Sequence, residues 1–434
     1  MDRLEPTSPS LPFSAKALRT RPQPISYLIA KAVANPRLIS FAAGLVDEQT
    51  LPVVECRRIA QRLLEDPQRG RVALQYETTL GLEPLRHRLL QHLEELEGRP
   101  ASSMSLTADD IILTTGSQQA LYLIADCLID PGDIVITANP DYFVYAGALQ
   151  SLGARLMAVP MDDDGMDTNA LADLLGALDR QGQLPRVKFI YCTSYYQNPT
   201  GLTLGRHRRA HMVQIARQFS RGHRILIVED GAYRELRYDG QPLPSIKSHD
   251  PDNRYTVLTQ TFSKPFSPGL KVGYTAVPPD LMQALLHQKA NHDFGSPSLC
   301  QHMALEALND GSYHAHVALL RQEYRRKRDA LLDALHRHMP RLPGLHWTEP
   351  QGGLYVWLTL PHGSDASADS FIFRNCLDRG VLYVPGEYCF QPPDIPRNHM
   401  RLCFGKVANE QILPGIQRLA SVIAGQLAAR TPAA

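Results

Sequence analysis

The stretch TFSKPFSPGLKVGY (261–274) sets two hydroxyl residues, Thr261 and Ser263, just before Lys264, with a second cation, Lys271, seven residues on. Apolar runs flank it: YTVL (255–258) before and VGYTAV (272–277) after. A lysine attacks a carbonyl only as the neutral amine, and desolvation or a neighbouring cation favours that form. The hydroxyls and Lys271 together suit a phosphate. Four more stretches carry reactive side chains near the ends of strand-like runs. In TTGSQQAL (114–121) the chain turns at Gly116 and a helix starts at Ser117 and Gln118. Free N–H groups and the helix dipole make such a start an anion site, although Ser117 alone also reads as a simple N-cap. Tyr142, in ANPDYFVYAG (138–147), follows a proline in a loop where a ring can stack on a ligand; by itself it also reads as core. Asn198, in YYQNPTGLTL (195–204), sits in a turn stiffened by Pro199 and relieved by Gly201, from which its amide can reach an oxygen. A plain Asn-Pro turn looks the same. Asp230, in VEDGAYREL (228–236), stands where open parallel sheets place ligands, and Tyr233 follows three residues later. A buried carboxylate needs a cation or donor; the alternative is a capping Asp beside a surface Tyr.

These side chains need a frame. Apolar runs at 111–115, 133–138, 188–193, 225–229, 255–260 and 272–277 alternate with helix-period segments at 117–129, 168–180 and 206–219. Strands buried on both faces and separated by helices predict an α/β fold with a mostly parallel sheet flanked by helices. A long helix is expected over 314–338. Beyond it, GLYVWLTL (353–360), VLYVP (381–385) and MRLCF (400–404) read as strands of a smaller α+β part. The expected division is an N-terminal arm (1–38), a small domain (39–60 and 325–434) and a large cofactor domain (61–324). The first 25 residues, rich in Pro and Ser, read as an arm without a core.

Composition excludes other classes. Hydrophobic residues make up 44% and charged residues 21%, which is ordinary for a globular chain. A net charge of +1, with no basic run, implies no nucleic-acid partner. The 7 cysteines are scattered, without a CxxC pair, which predicts free thiols in a reducing compartment and no metal site. No apolar leader and no membrane-length apolar run is seen, so a cytoplasmic protein is expected.

Taken together, the strand-end features suit a phosphate, an aromatic ring, a ring oxygen, a protonated ring nitrogen and an aldehyde. Pyridoxal 5′-phosphate has all five, with a Schiff-base lysine and an Asp facing its ring nitrogen as its usual protein partners. Here the sequence resembles the fold-type I pyridoxal-phosphate aminotransferases of class I/II, nearest the aminoadipate, kynurenine and aromatic aminotransferase branch. SFAAGLVDEQTLP, LQYETTLGLEPLR, TTGSQQAL, NPTG, VEDGAYREL, FSKPFSPGLKVGY, PQGGLYVWL, VPGEYCF and MRLCF follow the family's order from about residue 25 to residue 425. The resemblance implies that Lys264 holds the cofactor and shuttles a proton. It implies that Asp230 pairs with the ring nitrogen, that Asn198 and Tyr233 bond the ring oxygen, and that Tyr142 stacks on the ring. Ser117, Gln118, Thr261, Ser263 and Lys271 would hold the phosphate. Tyr76 would reach the phosphate of a neighbouring subunit, so a homodimer with shared sites is expected. Arg401 would clamp the substrate carboxylate bidentately, with Gly44 allowing close backbone approach and Tyr355 bordering the side-chain pocket. His292, Asp293 and Phe294 are also expected at that border, and Tyr27 and Arg21 of the arm over the site.

The sequence departs from the family at three places. Lys271 stands where arginine is usual, keeping the charge but losing the fork. The usual Gly-Gly-x-Pro is Ala43-Gly44-Leu45-Val46, and Gln260 replaces a small residue. The expected activity is transfer of an amino group from an L-amino acid with an aromatic, aminoadipate-like or other bulky side chain to a 2-oxo acid such as 2-oxoglutarate. The same side chains also serve a β-lyase, decarboxylase, oxidase or cyclase. A ligand-sensing regulator built on this fold is the reading from another class; such regulators carry a winged-helix domain ahead of the fold, whereas about 25 arm-like residues precede the match here.

Overall fold

In the computed structural model, residues 11–35 and 37–428 are described; residues 1–10, which open the expected arm, Pro36 and residues 429–434 lie outside them. The main sheet has the strand order Ile111–Thr115, Val272–Ala276, Thr256–Thr261, Leu226–Asp230, Val187–Thr193, Ile134–Asn139, Arg155–Asp162, Gly165–Met166. The interior strands pair in parallel, while Val272–Ala276 and Gly165–Met166 run antiparallel to their neighbours. This is the mostly parallel sheet expected from the sequence.

Alternation along the strands fills two cores. Ile134, Ile136, Ile190 and Ile227 face the helices Thr168–Arg180 and Arg206–Phe219. Val135, Phe189, Tyr191 and Val228 face Ser117–Leu128, Phe143–Leu152 and Pro279–His292 on the other side. Each fully buried aliphatic or aromatic side chain contributes about 1.5–3 kcal/mol, so both faces hold the sheet rigid behind the site. The strand Arg155–Asp162 is not among the expected runs. It is half exposed near the sheet edge, where Pro160 is tolerated, and that proline cuts short its apolar run LMAV (156–159).

A second sheet is antiparallel, ordered His346–Trp347, Tyr355–Thr359, His399–Cys403, Val384–Pro385. Ile39–Ser40 pairs in parallel with Val381–Leu382. The long helix Ser312–His338 packs on Asn409–Ala428. The arm differs from the sequence expectation. Helices Ala15–Arg19 and Pro24–Ala34 form there, with Pro24 at the first turn, where its missing N–H costs nothing. Leu28 is buried in the same core as Phe41 and Tyr355, Arg19 Nε donates to Ser151 O (3.3 Å), and Lys16 bonds Tyr122.

Candidate active site

A cavity of about 360 Å³ opens where the parallel strands end, between the two sheets. Its wall includes Ser117, Gln118, Tyr142, Asn198, Asp230, Tyr233, Thr261, Ser263, Lys264 and Lys271 from the main-sheet side. Gly44, Tyr355 and Arg401 close it from the other side. The topology explains this convergence. Thr115, Asn139, Thr193, Asp230 and Thr261 are the last residues of strands pointing the same way, and Val272 starts a strand running back, so Lys271 lies at the same edge.

Lys264 Nζ donates to Gly44 O at 2.9 Å and lies 5.8 Å from the Tyr233 ring centre. Burial holds its ammonium below the ordinary lysine value; Arg401 adds to this, and Cys403 and Asp230 oppose it. Asp230 is buried and accepts from Tyr191 Oη (3.0 Å) and from Ala232 N (3.0 Å). Burial pushes its carboxyl up, and a cation placed against it would favour the ionised form.

Arg401 is 1% exposed. Its Nη1 donates to Asn198 Oδ1 (2.8 Å) and its Nη2 to Ala42 O (2.7 Å). The guanidinium lies 4.7 Å from the Tyr355 ring centre. Its Nε is buried without a partner. That leaves donors for an incoming carboxylate, because guanidinium carries about five N–H groups in a fixed fork. The Arg401 bond also fixes the Asn198 amide: only its oxygen can accept from arginine, so Nδ2 is left to donate elsewhere.

The phosphate-like corner is a backbone cradle. A Cβ on Gly273 would fall 2.6 Å from Gly116 C and 2.7 Å from Ser117 N, so the strand Val272–Ala276 touches the helix start directly. Gly116 takes φ +74° and leaves the helix without a side-chain cap. Thr261 Oγ1 donates to Ser263 Oγ (2.9 Å) and accepts from Ser263 N (3.1 Å). Lys271 has φ +53°, a strained value for a residue with a side chain, of the kind functional sites retain.

Tyr142 and Gln118 meet at 3.5 Å, hydroxyl to amide oxygen. The Tyr142 loop is held by Asp141, which sequence reasoning missed. Asp141 accepts from Ala138 N (3.1 Å) and Tyr142 N (2.7 Å), and burial pushes it up to about 8. Tyr191 is a further residue the sequence reading leaves out; its signal is a phenol in the run KFIYCT, two residues before Thr193 and so on the same face. His292, Asp293 and Phe294 lie outside the cavity wall, contrary to expectation. His292 and Asp293 are taken up by Gln119 Nε2 (3.2 and 2.6 Å), and Lys289 pairs with Asp293 (2.8 Å). Tyr76 is 83% exposed and meets Phe294 edge-on at 5.7 Å, away from its own chain's cavity.

Residues 37–419 match the family Aminotransferase class I and II. The chain belongs to the aminotransferase class I and II family. The aromatic-amino-acid aminotransferase 1 of Thermococcus litoralis is 37% identical to this aminotransferase over 95% of the chain and 94% of that protein. Among solved structures, the kynurenine aminotransferase of Pyrococcus horikoshii, in complex with PMP, superposes with a TM-score of 0.87 at 34% identity, covering 96% of this chain and 97% of that one. LysN, the α-aminoadipate aminotransferase of Thermus thermophilus, complexed with N-(5′-phosphopyridoxyl)-L-leucine, gives 0.81 at 32% identity, over 96% and 98%. Among the described residues, no helix of the aminotransferase is long and apolar enough to cross a membrane.

Proposed function

We propose that this aminotransferase uses pyridoxal 5′-phosphate, held by Lys264, to move the amino group of an L-amino acid with an apolar or aromatic side chain to a 2-oxo acid. The residues fit the cofactor on structural grounds. The close approach of Gly273 to Gly116 and Ser117 sets an uncapped helix start beside Thr261, Ser263 and Lys271, where its N–H groups can serve a phosphate. Asp230 offers its carboxylate to the ring nitrogen, Asn198 and Tyr233 offer donors to the ring oxygen, and Tyr142 offers its ring face. When bound, the cofactor supplies an electron sink for the pair left when a bond to the substrate's α-carbon breaks.

The protein's own groups do the rest. Arg401 would grip the α-carboxylate and so orient the α-carbon in the cavity. Lys264, whose ammonium burial holds below its ordinary value, would take the proton from the α-carbon on its Nζ. Water then releases a 2-oxo acid, and a second 2-oxo acid, such as 2-oxoglutarate, takes up the nitrogen. The observation that carries this reading is the Arg401–Asn198 bond (2.8 Å), which ties the carboxylate clamp to the ring-side amide within the cavity that holds Lys264.

The substrate class follows from the remaining wall. Ile25, Leu45, Leu121, Phe143 and Val144 line it, and among the described residues its cations are Lys264, Lys271 and Arg401. All three have work assigned in the cofactor and α-carboxylate roles, so the rest of the wall meets a donor's side chain through apolar contact. Such a pocket favours aromatic and branched donors. We further propose a homodimer in which Tyr76 completes the partner's site; its 83% exposure beside Phe294, Val72 and Leu74, all exposed, supports this. The test is a donor screen with 2-oxoglutarate, following oxo acid formed and glutamate released one for one. Lys264→Ala is expected to lower turnover roughly 10²–10⁴-fold or more. Ammonia release without glutamate would favour a lyase or oxidase instead.

A further inference from the structure

Besides Tyr142 and Tyr233, the cavity wall contains a third phenol, Tyr355, whose place neither the cofactor nor the carboxylate clamp requires. Tyr355 Oη lies 2.9 Å from Tyr233 Oη, and the two rings meet edge to face at 5.6 Å and 82°. Both are buried, at 1% and 6% exposure. Tyr355 stands on the antiparallel sheet, whereas Tyr233 follows a main-sheet strand, so this bond joins the two halves across the cavity. The Tyr355 ring is wedged beneath Arg401, and its hydroxyl occupies space that any side chain at position 44 would take: a Cβ on Gly44 would come within 2.7 Å of it.

Each phenol has one proton to give. If Tyr233 donates to Tyr355, its proton is used and it meets the cavity only as an acceptor. A ring oxygen in its anionic form is also an acceptor. Only the opposite order serves it: Tyr355 donates to Tyr233, and Tyr233 donates to the ring oxygen. Bonds in such a chain polarise one another, so the first strengthens the second.

We propose that Tyr355 is a positioning residue that holds Tyr233 as the hydrogen-bond donor to the cofactor's ring oxygen and so lowers the proton affinity of the lysine–cofactor link. This rests on the reading of Tyr233 as that donor. Stronger donation stabilises the ring oxyanion, which carries more charge once the link loses its proton.

The test is a spectrophotometric pH titration of the bound cofactor in the holoenzyme, with cofactor content and near-ultraviolet circular dichroism checking that each variant is folded and loaded. Tyr233→Phe should raise the link's pKa. Tyr355→Phe should raise it by about 0.5–1 unit, the equivalent of one ordinary hydrogen bond. In the Tyr233→Phe background, Tyr355→Phe should add nothing. A Tyr355→Phe enzyme that titrates like the parent, while Tyr233→Phe is shifted, overturns the proposal and leaves the Tyr233 reading intact. Equal shifts from Tyr355→Phe with and without the Tyr233 hydroxyl overturn it as well, because the two then act independently. An unshifted Tyr233→Phe removes the donor reading, and the proposal falls with it.

Discussion

At the residue scale, Arg401 is the most constrained side chain of the site. Its two bonds, to Asn198 and Ala42, orient the fork before any substrate arrives. Lysine keeps the charge but cannot hold both partners and a carboxylate together. Arg401→Lys should therefore cut kcat/KM roughly 10–100-fold, the cost of losing one or two charge-assisted bonds, with most of the loss in KM when the α-carboxylate is the group missed. Steady-state kinetics with the best donor checks this. Lys271 poses the reverse case. It holds a strained φ of +53° at the phosphate corner, and Lys271→Arg restores a fork there. Slower cofactor loss on dialysis is the expected outcome, and faster loss would mean that the backbone at this position suits only the lysine stem.

At the element scale, the site depends on how closely a strand and a helix start approach each other. Gly273 allows that approach, because any Cβ there overlaps the Gly116–Ser117 backbone. Gly273→Ala must move the helix start, and cofactor retention should fall roughly tenfold or more, as expected when a charge-assisted bond is lost; equilibrium dialysis reads it. A second junction joins the helices Glu83–Glu97 and Ser312–His338. His92 Nε2 meets Glu235 (3.1 Å), its Nδ1 meets Glu95 (3.4 Å), and Tyr313 donates to Glu235 (2.6 Å). His92, Glu95 and His314 stand close enough to suggest a metal, but Arg88 bonds both Glu95 and His314 and occupies the charge role there. Burial pushes His92 down, yet Glu235 and Glu95 outweigh it and hold His92 above its ordinary value. Glu235 is buried too, and His92 and Tyr313 hold it below the carboxylate range. A raised histidine adds stability that is complete below its unfolded value, about 6.5, and fades as pH rises through the folded one. The lowered Glu235 contributes above its ordinary value and is lost as pH falls through the lowered one. Urea midpoints of the parent should therefore decline as pH rises above neutral, and His92→Gln should flatten that decline.

At the scale of the whole molecule, the arm, the loops that leave the main sheet and the second sheet share one core. Leu28 of the helix Pro24–Ala34 packs in the cluster that holds Tyr355, Tyr233 and Phe41, and Ile25 lines the cavity. Leu28→Ala should cost about 2–5 kcal/mol, because the space it leaves is closed on all sides, and the loss should be smaller with cofactor bound if the arm also tightens on the occupied site. Chemical denaturation with and without cofactor separates the two. The proposed homodimer belongs to this scale as well. Sedimentation should find a dimer, and charged substitutions at the exposed Val72 and Leu74 should weaken it while leaving the isolated fold intact.

Much of this protein is written locally. Apolar strands with reactive residues at their ends made the mostly parallel sheet legible, because backbone periodicity and turn chemistry act over a few residues, and they put Lys264, Asp230, Asn198 and Tyr233 where the structure gathers them around one cavity. The strand Arg155–Asp162, next to the edge strand Gly165–Met166, and the helix Pro24–Ala34 were not legible, since half-exposed and short apolar elements carry weak patterns. The Tyr233–Tyr355 bond, the Arg401–Asn198 bond and the carbonyl of Gly44 under Lys264 join residues far apart in the chain. No spacing rule encodes such contacts. They exist only once two sheets close on one cavity, because a hydrogen bond needs its partners within about 3 Å, whatever their distance along the sequence.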